Sequence, residues 1–460
     1  MIEAPPRPTL ESVATINEDG SRRFIHPTEI RGWFARRRAW MAAALTAIYV
    51  ALPWIQINGN PALFLDVANR QFHYFGLTFL GQDIWIAFFV LSGLGFCLFY
   101  VTALLGRVWC GWACPQTVFL DIARRIDRLC EGNAATRRKL HLTHSTFGKT
   151  LRRFAKHALY ALFSLLLAHV LLSYFVSLPR LYAMMTHAPG ENLGSFAFVF
   201  FIAGALWFDL AWFREQFCIV LCPYGRLQSA LLDSDSLVVG YDEKRGEPRG
   251  RKGTQGAGDC VDCLRCVQVC PTGIDIRQGL QMECIGCTAC IDACDSVMTK
   301  LKRPTGLIRY DSRHGFAGKP TRWLRPRILL YTALALFGAA ALTAATSTLK
   351  SAAVGLTRVT GIPYVVEGGV VRNQFLVRLL NKRNDPVTFN LEILDGPRSL
   401  HSTGMEDGIL VAPLGEEVRT LVLTLPRSEL KTELALRLRI VSSSGTTIEK
   451  PATFLGPITP

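Results

Sequence analysis

Eight of the fourteen cysteines fall within a short stretch, and their spacing implies redox chemistry. They form two runs of the type Cys-x2-Cys-x2-Cys-x3-Cys, which are Cys260, Cys263, Cys266 and Cys270, then Cys284, Cys287, Cys290 and Cys294. Bacterial ferredoxins hold 4Fe–4S clusters through such runs. The alternatives are a zinc site, whose four cysteines usually come as two separated pairs, and a disulfide framework.

In two-cluster ferredoxins the fourth cysteine of each run binds the cluster of the other run. The sequence therefore predicts two interlocked 4Fe–4S clusters as cofactors. The predicted ligands of the first are Cys260, Cys263, Cys266 and Cys294. The predicted ligands of the second are Cys284, Cys287, Cys290 and Cys270. Asp295 stands where a proline usually follows the last cysteine, and this departure removes no ligand.

A second motif, Cys-x3-Cys-Pro, occurs twice, at Cys110 and Cys114 and again at Cys218 and Cys222. On a helix the two sulfurs would share one face, and the following proline favours a bend. Two copies could supply four sulfurs to a soft ion such as Cu(I) or to an iron–sulfur centre. The alternative is that these cysteines only pack. The single residues Cys97 and Cys130 are predicted to pack.

The chain is rich in apolar runs, with 460 residues, half of them hydrophobic, and a mean hydropathy of +0.23. Five runs are long enough to cross a hydrocarbon core of about 30 Å. They are Trp40–Ile57, Ile84–Leu105, His157–Leu178, Ser195–Phe213 and Ile328–Thr346. The length is that of about three domains.

The net charge of +15 is distributed unevenly among the loops. The only basic residues in the loops at 58–83 and 179–194 are Arg70 and Arg180. The loops expected on the opposite side of the membrane are rich in arginine and lysine. This positive-inside bias predicts a cytoplasmic N-terminus and cysteine region, with residues 347–460 outside. It also argues against nucleic-acid binding. All cysteines precede residue 295, as expected for thiolates in a reducing compartment.

The sequence predicts a multi-domain membrane protein: an α-helical transmembrane bundle, a double 4Fe–4S ferredoxin module and a C-terminal β-sandwich. Alternating apolar residues after residue 370 favour an immunoglobulin-like fold, although the usual cysteine pair is lacking. The predicted parts are a cytoplasmic tail (1–30), a four-span membrane domain (31–230), a linker or short hairpin (231–258), the ferredoxin domain (259–310), the fifth span (326–348) and the outer domain (349–460).

Other polar residues in or near the spans leave their roles open. His169 and Asp209 lie inside predicted spans, where a metal or proton role competes with a satisfied hydrogen bond. Met184, Met185 and His187 could attract Cu(I), but interfacial packing is favoured. No Cys-x-x-Cys is followed by His, and no G-x-G-x-x-G follows a strand, so covalent haem and a Rossmann nicotinamide site are not encoded.

Nearly the whole chain, about residues 30 to 455, resembles the CcoG (also FixG or RdxA) family of cytochrome c oxidase accessory proteins. The resemblance is carried by both Cys-x3-Cys-Pro motifs together with Cys270–Asp295, Gly306–Tyr310, Pro53–Gly59 and Phe72–Gly76. The ferredoxin run alone would not discriminate among families, but its combination with the other motifs is specific.

The resemblance implies a protein of the bacterial inner membrane that helps to assemble cbb-type cytochrome c oxidase. It implies a cupric reductase with copper as substrate, and assembly factors or subunits of that oxidase as partners. Candidate catalytic residues, for copper handling or for an additional redox site, are Cys110, Cys114, Cys218 and Cys222. Two alternatives are an electron conduit between a quinol and a redox partner, and a non-enzymatic assembly scaffold. The electron donor, the side on which copper is reduced and the oligomeric state stay open.

Overall fold

The computed structural model divides the chain into two compact units. The first contains residues up to Ile55 and Phe88–Ala341, and the second contains Gln56–Ala87 and Leu342–Pro460. The structure describes residues 15, 22, 24–68, 70–80, 83, 85–144, 146–251, 253–347, 351–430 and 433–457. Most of the predicted tail at 1–30 therefore lies outside the described residues.

Four helical segments in the described part of the chain are long and apolar enough to cross a membrane, as predicted for four of the five spans. Few residues of these segments are buried within the protein, as expected for apolar helices that face lipid. The segments are α2 (Trp85–Leu105), α5 (Phe147–Leu172), the segment Pro189–Phe213 that contains α7 (Leu193–Phe208), and α13 (Pro326–Ser347).

The first predicted span, Trp40–Ile57, is not among these four segments. Its residues belong mostly to helix α1, Trp33–Ala51, which begins seven residues earlier than predicted and therefore includes Arg36, Arg37 and Arg38. The third predicted span also begins too late, because α5 starts at Phe147 where the Thr146 side chain caps it. Helix formation thus extends into charged sequence that hydropathy alone assigns to loops.

Shorter elements join the long helices. After α2 come α3 (Pro115–Glu131) and α4 (Ala134–Leu142), and after α5 comes α6 (Leu178–Thr186). Helix α8 (Pro223–Leu231) leads into the ferredoxin region, which contains α9 (Glu243–Gly246), α10 (Arg265–Gln268), α11 (Ala289–Lys300) and α12 (Arg313–Phe316). The predicted linker at 231–258 is not simply a connection, because its strand Val238–Tyr241 pairs antiparallel with Ile308–Asp311 and closes the ferredoxin region at its edge.

The second unit contains the predicted β-sandwich. Two antiparallel sheets enclose a core of alternating residues such as Val377, Leu379, Phe389, Leu421 and Leu438. The strands, numbered in chain order after β6 (Val238–Tyr241) and β7 (Ile308–Asp311), are β8 (Ala352–Arg358), β9 (Val365–Glu367), β10 (Val370–Asn381), β11 (Val387–Ile393), β12 (His401–Thr403), β13 (Ile409–Val411), β14 (Glu416–Pro426), β15 (Leu434–Ser442) and β16 (Thr447–Phe454).

The segment between the first two predicted spans is structured, which the sequence analysis did not anticipate. It forms short strands that belong to the same compact unit as the sandwich. The Lys382 ammonium pairs with Asp83 at 2.5 Å, and the Gln71 side chain donates to the Leu414 carbonyl at 2.8 Å. The strands are β1 (Gln56–Ile57), β2 (Asn60–Pro61), β3 (Leu63–Asp66), β4 (Gln71–Tyr74) and β5 (Leu77–Leu80).

Candidate metal centres

The eight cysteines of the ferredoxin region line two cavities within the first unit. We call them the first and second thiol cavities. The first is lined by Cys260, Cys263, Cys266 and Cys294. The second is lined by Cys270, Cys284, Cys287 and Cys290, with Cys266 at its edge. The fourth cysteine of each run thus lies beside the first three cysteines of the other run.

Matching backbone turns shape the two cysteine runs. Leu264 and Thr288, each one residue after the second cysteine of its run, both adopt left-handed conformations, with φ of +56° and +65°. Each of these residues is the N-cap of a short helix, Leu264 of α10 and Thr288 of α11. The residues before the second cysteine, Asp262 and Gly286, also have positive φ. The two loops therefore wrap their cavities in the same way.

Apolar residues and one buried ion pair surround the two cavities. Ile276, Ile291, Met298 and Ile308 belong to the core that packs against the cysteines. The Arg277 guanidinium is buried and donates to Asp275 at 2.7 and 2.8 Å. Such a dry environment raises the cost of a bare thiolate, so a metal cation is the natural partner for these sulfurs.

The thiol pKa values reflect this burial. Burial raises the pKa of Cys284 to about 12, and the neighbouring thiol of Cys287 adds to the rise. The pKa of Cys266 is also raised to about 12 by burial. Within the described residues no group of three or more His, Cys, Asp or Glu side chains is arranged to hold a single metal ion. The eight ferredoxin cysteines line two cavities, and sulfurs placed around a cavity fit a polynuclear cluster.

The two Cys-x3-Cys-Pro motifs have the same local structure. Each forms one turn of π-helix, Trp109–Ala113 in the first copy and Phe217–Leu221 in the second, rather than the α-helix assumed from the sequence. The second cysteine of each motif is extended, and the proline after it begins α3 or α8. π-Turns are frequent at functional sites.

The four cysteines of these motifs come together at the ends of the membrane segments, and we call them the four-thiol site. Burial raises the pKa of Cys218 to about 12, and the thiols of Cys114, Cys110 and Cys222 contribute to this rise. Burial likewise raises the pKa of Cys110 to about 11. The Cys110 sulfur also lies 3.5 Å from the Gln228 amide oxygen. Two motifs more than a hundred residues apart thus build one site.

The second thiol cavity adjoins the four-thiol site through a contact between two backbones. A Cβ atom added to Gly111, which lies between Cys110 and Cys114, would be 2.6 Å from the Gly286 carbonyl oxygen. Gly286 itself lies between Cys284 and Cys287, with a φ of +66°. Only glycine at position 111 permits this approach without displacing backbone. We call this contact the glycine junction.

Arg107 and Tyr310 hold the glycine junction from either side. The Arg107 guanidinium donates to the Cys284 carbonyl at 3.3 Å and to the Gly225 carbonyl at 2.7 Å. The Tyr310 hydroxyl donates to the Gly286 carbonyl at 3.0 Å. Arg107 therefore contacts both the ferredoxin region and the segment that follows the second Cys-x3-Cys-Pro motif.

A buried charge cluster joins the chain near the two motifs. The Arg214 guanidinium donates to Asp127 at 2.7 Å, and the Tyr160 hydroxyl donates to the same carboxylate. Burial alone would raise the pKa of Asp127, but the charge and hydrogen bond of Arg214 lower it overall. Glu215 is also buried and pairs with Arg124 at 2.7 Å. These contacts fix the segment before the second motif against α3, which follows the first.

The polar membrane residues singled out in the sequence have local partners. Asp209 accepts two hydrogen bonds from the Gln116 amide, at 2.8 and 3.0 Å. Gln116 is two residues after Cys114 in the chain. The His169 ring bonds the Leu165 carbonyl of its own helix at 2.8 Å. His187 bonds the Ala183 carbonyl, and Met185 is exposed. Cys97 is exposed on α2, and Cys130 is half-buried on α3.

Sequence reasoning missed the residues that join the sites, namely Gly111, Gly286, Arg107 and Tyr310. One signal was available, because an arginine precedes the cysteines in both motifs. Arg107 contacts the ferredoxin region, whereas Arg214 enters the charge cluster. The glycine inside each cysteine loop does not by itself predict a contact, because its role depends on what packs against it.

Family models match three parts of the chain. A model described as "4Fe-4S dicluster domain" matches residues 213–313, and one described as "4Fe-4S binding domain" matches residues 72–141. A third, described as "IG-like fold at C-terminal of FixG", with a provisional oxidoreductase assignment, matches residues 342–457. With the four apolar helices, these matches define the class of the molecule as a membrane iron–sulfur protein.

Similar proteins narrow this class to one family. Protein RdxA of Cereibacter sphaeroides is 34% identical over 432 residues, which cover 87% of this chain and 92% of RdxA. Nitrogen fixation protein FixG of Rhizobium meliloti is 35% identical over 425 residues, 81% of this chain and 79% of FixG. The chain belongs to the FixG/RdxA family, which confirms the resemblance noted in the sequence.

One solved structure matches a smaller part of the chain. The crystal structure of a FixG-related protein from Vibrio parahaemolyticus is 20% identical, covers 23% of this chain and 97% of its own, and gives a TM-score of 0.22. This score is too low to support a fold argument. The immunoglobulin-like assignment is confirmed instead by the family model and by the two observed sheets.

Proposed function

We propose that this protein is a membrane iron–sulfur oxidoreductase that reduces Cu(II) to Cu(I) for the copper site of a cbb-type cytochrome c oxidase. The observation that carries the proposal is the glycine junction, where the Cys284–Cys287 loop meets the Cys110–Cys114 turn backbone to backbone. Such contact offers a short route for single electrons between an iron–sulfur site and thiolates that prefer Cu(I).

The ligand sets proposed for the two 4Fe–4S clusters are the cysteines of the two thiol cavities. The fit is supported by the interlocked placement of Cys294 and Cys270, by the apolar walls and by the matched loop turns. When bound, such clusters accept and release single electrons, at potentials that can lie hundreds of millivolts below those of many acceptors. The protein's own part is to bury the sulfurs and to fix the loops.

The four-thiol site is the proposed place of copper reduction, with copper as substrate. Cu(II) gains one electron and becomes Cu(I), the oxidation state that thiolate ligands favour. Two sulfurs come from each motif, with Gln228 and Asp209 beside them. Because no three such side chains in the described residues are already arranged around one ion position, copper binding would draw the sulfurs together. The site is half-buried, so an ion can reach it while most water is excluded.

The proposed topology has five spans, an N-terminal and ferredoxin side in the cytoplasm, and a periplasmic sandwich. Helix α1 is the proposed first span despite its arginines, and it contacts both α3 and α5. At one end Arg38 pairs with Asp121 of α3, and at the other the Tyr49 hydroxyl donates to the Leu167 carbonyl at 3.1 Å. The Tyr174 hydroxyl donates to the Tyr49 carbonyl at 2.6 Å.

The second unit agrees with this topology. Residues 56–87 and 342–460 form one compact unit, although four apolar segments separate them along the chain. An even number of crossings returns the chain to the side from which it started. A five-span arrangement therefore lets both segments lie on one side of the bacterial inner membrane, while the cysteine-bearing loops lie on the other.

The test uses the full chain purified without oxygen in detergent, with its clusters reduced. One equivalent of Cu(II) is added, cluster oxidation is followed by electron paramagnetic resonance, and a Cu(I)-specific chelator reports the product. We expect one Cu(I) for each cluster electron lost. Clusters that stay reduced while Cu(II) persists would remove the cupric reductase and leave the electron conduit and the assembly scaffold.

A second role for the four-thiol site has specific support. The model described as "4Fe-4S binding domain" covers residues 72–141, which include Cys110 and Cys114 but none of the eight ferredoxin cysteines. This favours a third iron–sulfur centre and an electron conduit. Iron analysis separates the two roles, because a third cluster adds about half as much iron again to a protein with two clusters. Loss of the extra iron in Cys110→Ser would identify its location.

A further inference from the structure

A cavity of about 540 Å³ lies beside the four-thiol site, between helices α3, α5 and α7. Five Phe, Tyr and Trp side chains line it, and they are Phe24, Tyr160, Trp207, Phe208 and Trp212. Its size is ordinary for a small-molecule site. Trp207 and Phe208 are 40% and 49% exposed on a membrane-crossing segment, so the cavity reaches a surface that faces lipid.

The cavity also contains polar groups. The Nδ1 atom of His157 is buried, and it has no hydrogen-bond partner within the described part of the chain. Asp127 and Glu131 also line the cavity. A buried ring nitrogen without a partner costs free energy unless a ligand completes its hydrogen bond. The cavity thus combines flat apolar walls with a polar atom that a ligand could engage.

The charges in the cavity favour a neutral ligand over an anionic lipid head group. Arg214 is paired with Asp127 at 2.7 Å, and Lys156 is paired with Glu131 at 2.6 Å. Only Arg153 adds an exposed positive charge, at the rim. Because the two carboxylates neutralise the two inner cations, a phosphate would find only Arg153, among the described residues of the cavity, as a cation without a carboxylate partner, and that side chain is exposed. A neutral ring with hydroxyl groups meets no such conflict.

The cavity and the four-thiol site share one structural element, the π-turn Asp209–Phe213. Ala211 and Trp212 line the cavity, and they belong to the same π-turn as Asp209. Asp209 accepts hydrogen bonds from Gln116, which lies two residues after Cys114. The cavity is therefore connected to the four-thiol site through the Asp209–Phe213 turn and the Gln116–Asp209 hydrogen bond.

The geometry points to this cavity as a binding site for the head group of a membrane quinol, the electron donor to the iron–sulfur sites. Aromatic walls stack on the quinol ring, and His157 Nδ1 accepts a hydrogen bond from one hydroxyl. Oxidation to the quinone breaks two O–H bonds and releases two protons and two electrons. His157 is placed to take one proton and Glu131, beside Lys156, to take the other, and the two iron–sulfur sites, when occupied, would each take one electron. The inference rests on the electron-transfer part of the proposed function and does not depend on copper.

The experiment measures binding of a short-chain ubiquinone to the full-length protein in neutral-lipid nanodiscs, through quenching of tryptophan fluorescence, with no copper present. Two variants address the cavity, His157→Ala and the space-filling Ala211→Trp. His169→Ala is the matched control, since that histidine lies on the same helix and bonds its own backbone. We expect Kd to rise at least tenfold in both cavity variants and less than twofold in the control.

Equal quinone affinity in all variants would overturn the site. So would loss of quinone binding on adding anionic phospholipid, because the cavity would then be a lipid site. A folding defect is separated from a binding defect by the visible absorption of the iron–sulfur clusters, which all variants should retain. If quinone binds as expected but reduced protein fails to reduce Cu(II), the cupric reductase fails and the quinol site stands.

Discussion

The ferredoxin region and the four-thiol site both gather cysteines, but they do so by different means. In the ferredoxin region all eight sulfurs come from one short segment, and two similar loops with matching left-handed turns set the two cavities. In the four-thiol site, two motifs separated by α3, α4, α5, α6 and α7 must be brought together. The first site is local, whereas the second depends on the packing of the membrane domain.

This difference shows which contacts each site depends on. The ferredoxin region is stabilised by its own core and by the Arg277–Asp275 pair. The four-thiol site depends on distant contacts, above all Arg214 with Asp127, and on the glycine junction. Changes in the membrane domain should therefore affect the four-thiol site first and spare the ferredoxin clusters.

The largest expected effect comes from Cys284→Ser, which removes one sulfur from the second thiol cavity. We expect about half of the bound iron and sulfide to be lost, because three thiolates hold a 4Fe–4S cluster poorly. Cys97→Ser is the control, since Cys97 is exposed on α2. Full iron content in Cys284→Ser would contradict the proposed ligand sets.

The next effect concerns stability and comes from Asp127→Asn. Removing this charge leaves Arg214 buried without its anion, which should cost about 3 kcal/mol. We expect a lower unfolding temperature of the membrane domain, measured in detergent at neutral pH. The matched control is Asp259→Asn, since the Arg245–Asp259 pair is 28% and 27% exposed and should contribute under about 1 kcal/mol.

The pH dependence of the same cluster has a definite sign. The pKa of Asp127 is lowered in the folded protein, so its stabilising effect is fully present above the unfolded value of about 3.9. It is lost as pH falls through the folded pKa. As pH falls below about 4, the Asp127→Asn variant should therefore lose less stability than the wild-type protein, whereas above about pH 5 the two curves should run parallel. Curves that stay parallel below about pH 4 would show that Asp127 does not titrate as inferred.

A smaller effect is expected from Cys218→Ser, which tests whether the four sulfurs act together. Copper reduction should slow by about tenfold or more, because one of the soft ligands is lost. The ferredoxin clusters should still form and should still be reduced by a chemical reductant. Cys130→Ser provides the comparison, and equal rates in the two variants would separate the four-thiol site from the reaction.

The smallest of these effects should come from Gly111→Ala. The added methyl group would lie 2.6 Å from the Gly286 carbonyl, so the two loops must separate slightly. We expect electron transfer from the clusters to copper to slow on the order of tenfold or less, since small displacements of reacting groups are costly. Gly93→Ala on α2 meets nothing within 4 Å and is the matched control. Iron content should be unchanged in both.

The sequence by itself determined the features that depend on local spacing. Cysteine spacing predicted the iron–sulfur class, apolar runs predicted four of the spans, and period-two alternation predicted β10, β11, β14 and β15 closely. These succeed because a loop, a helix and a half-buried strand each need a pattern that repeats over few residues. The start of α1 was predicted wrongly, because the helix extends into charged sequence that hydropathy assigns to a loop.

Only the tertiary structure decided what joins these elements. The strands at 56–80 belong to the second unit, and β6, which lies in the predicted linker, pairs with β7. Two motifs that are distant in the chain form one four-thiol site. The glycine junction and the aromatic cavity likewise depend on residues far apart in the chain. Spacing along a sequence carries no information on such contacts, because their free energy arises only when the elements pack together.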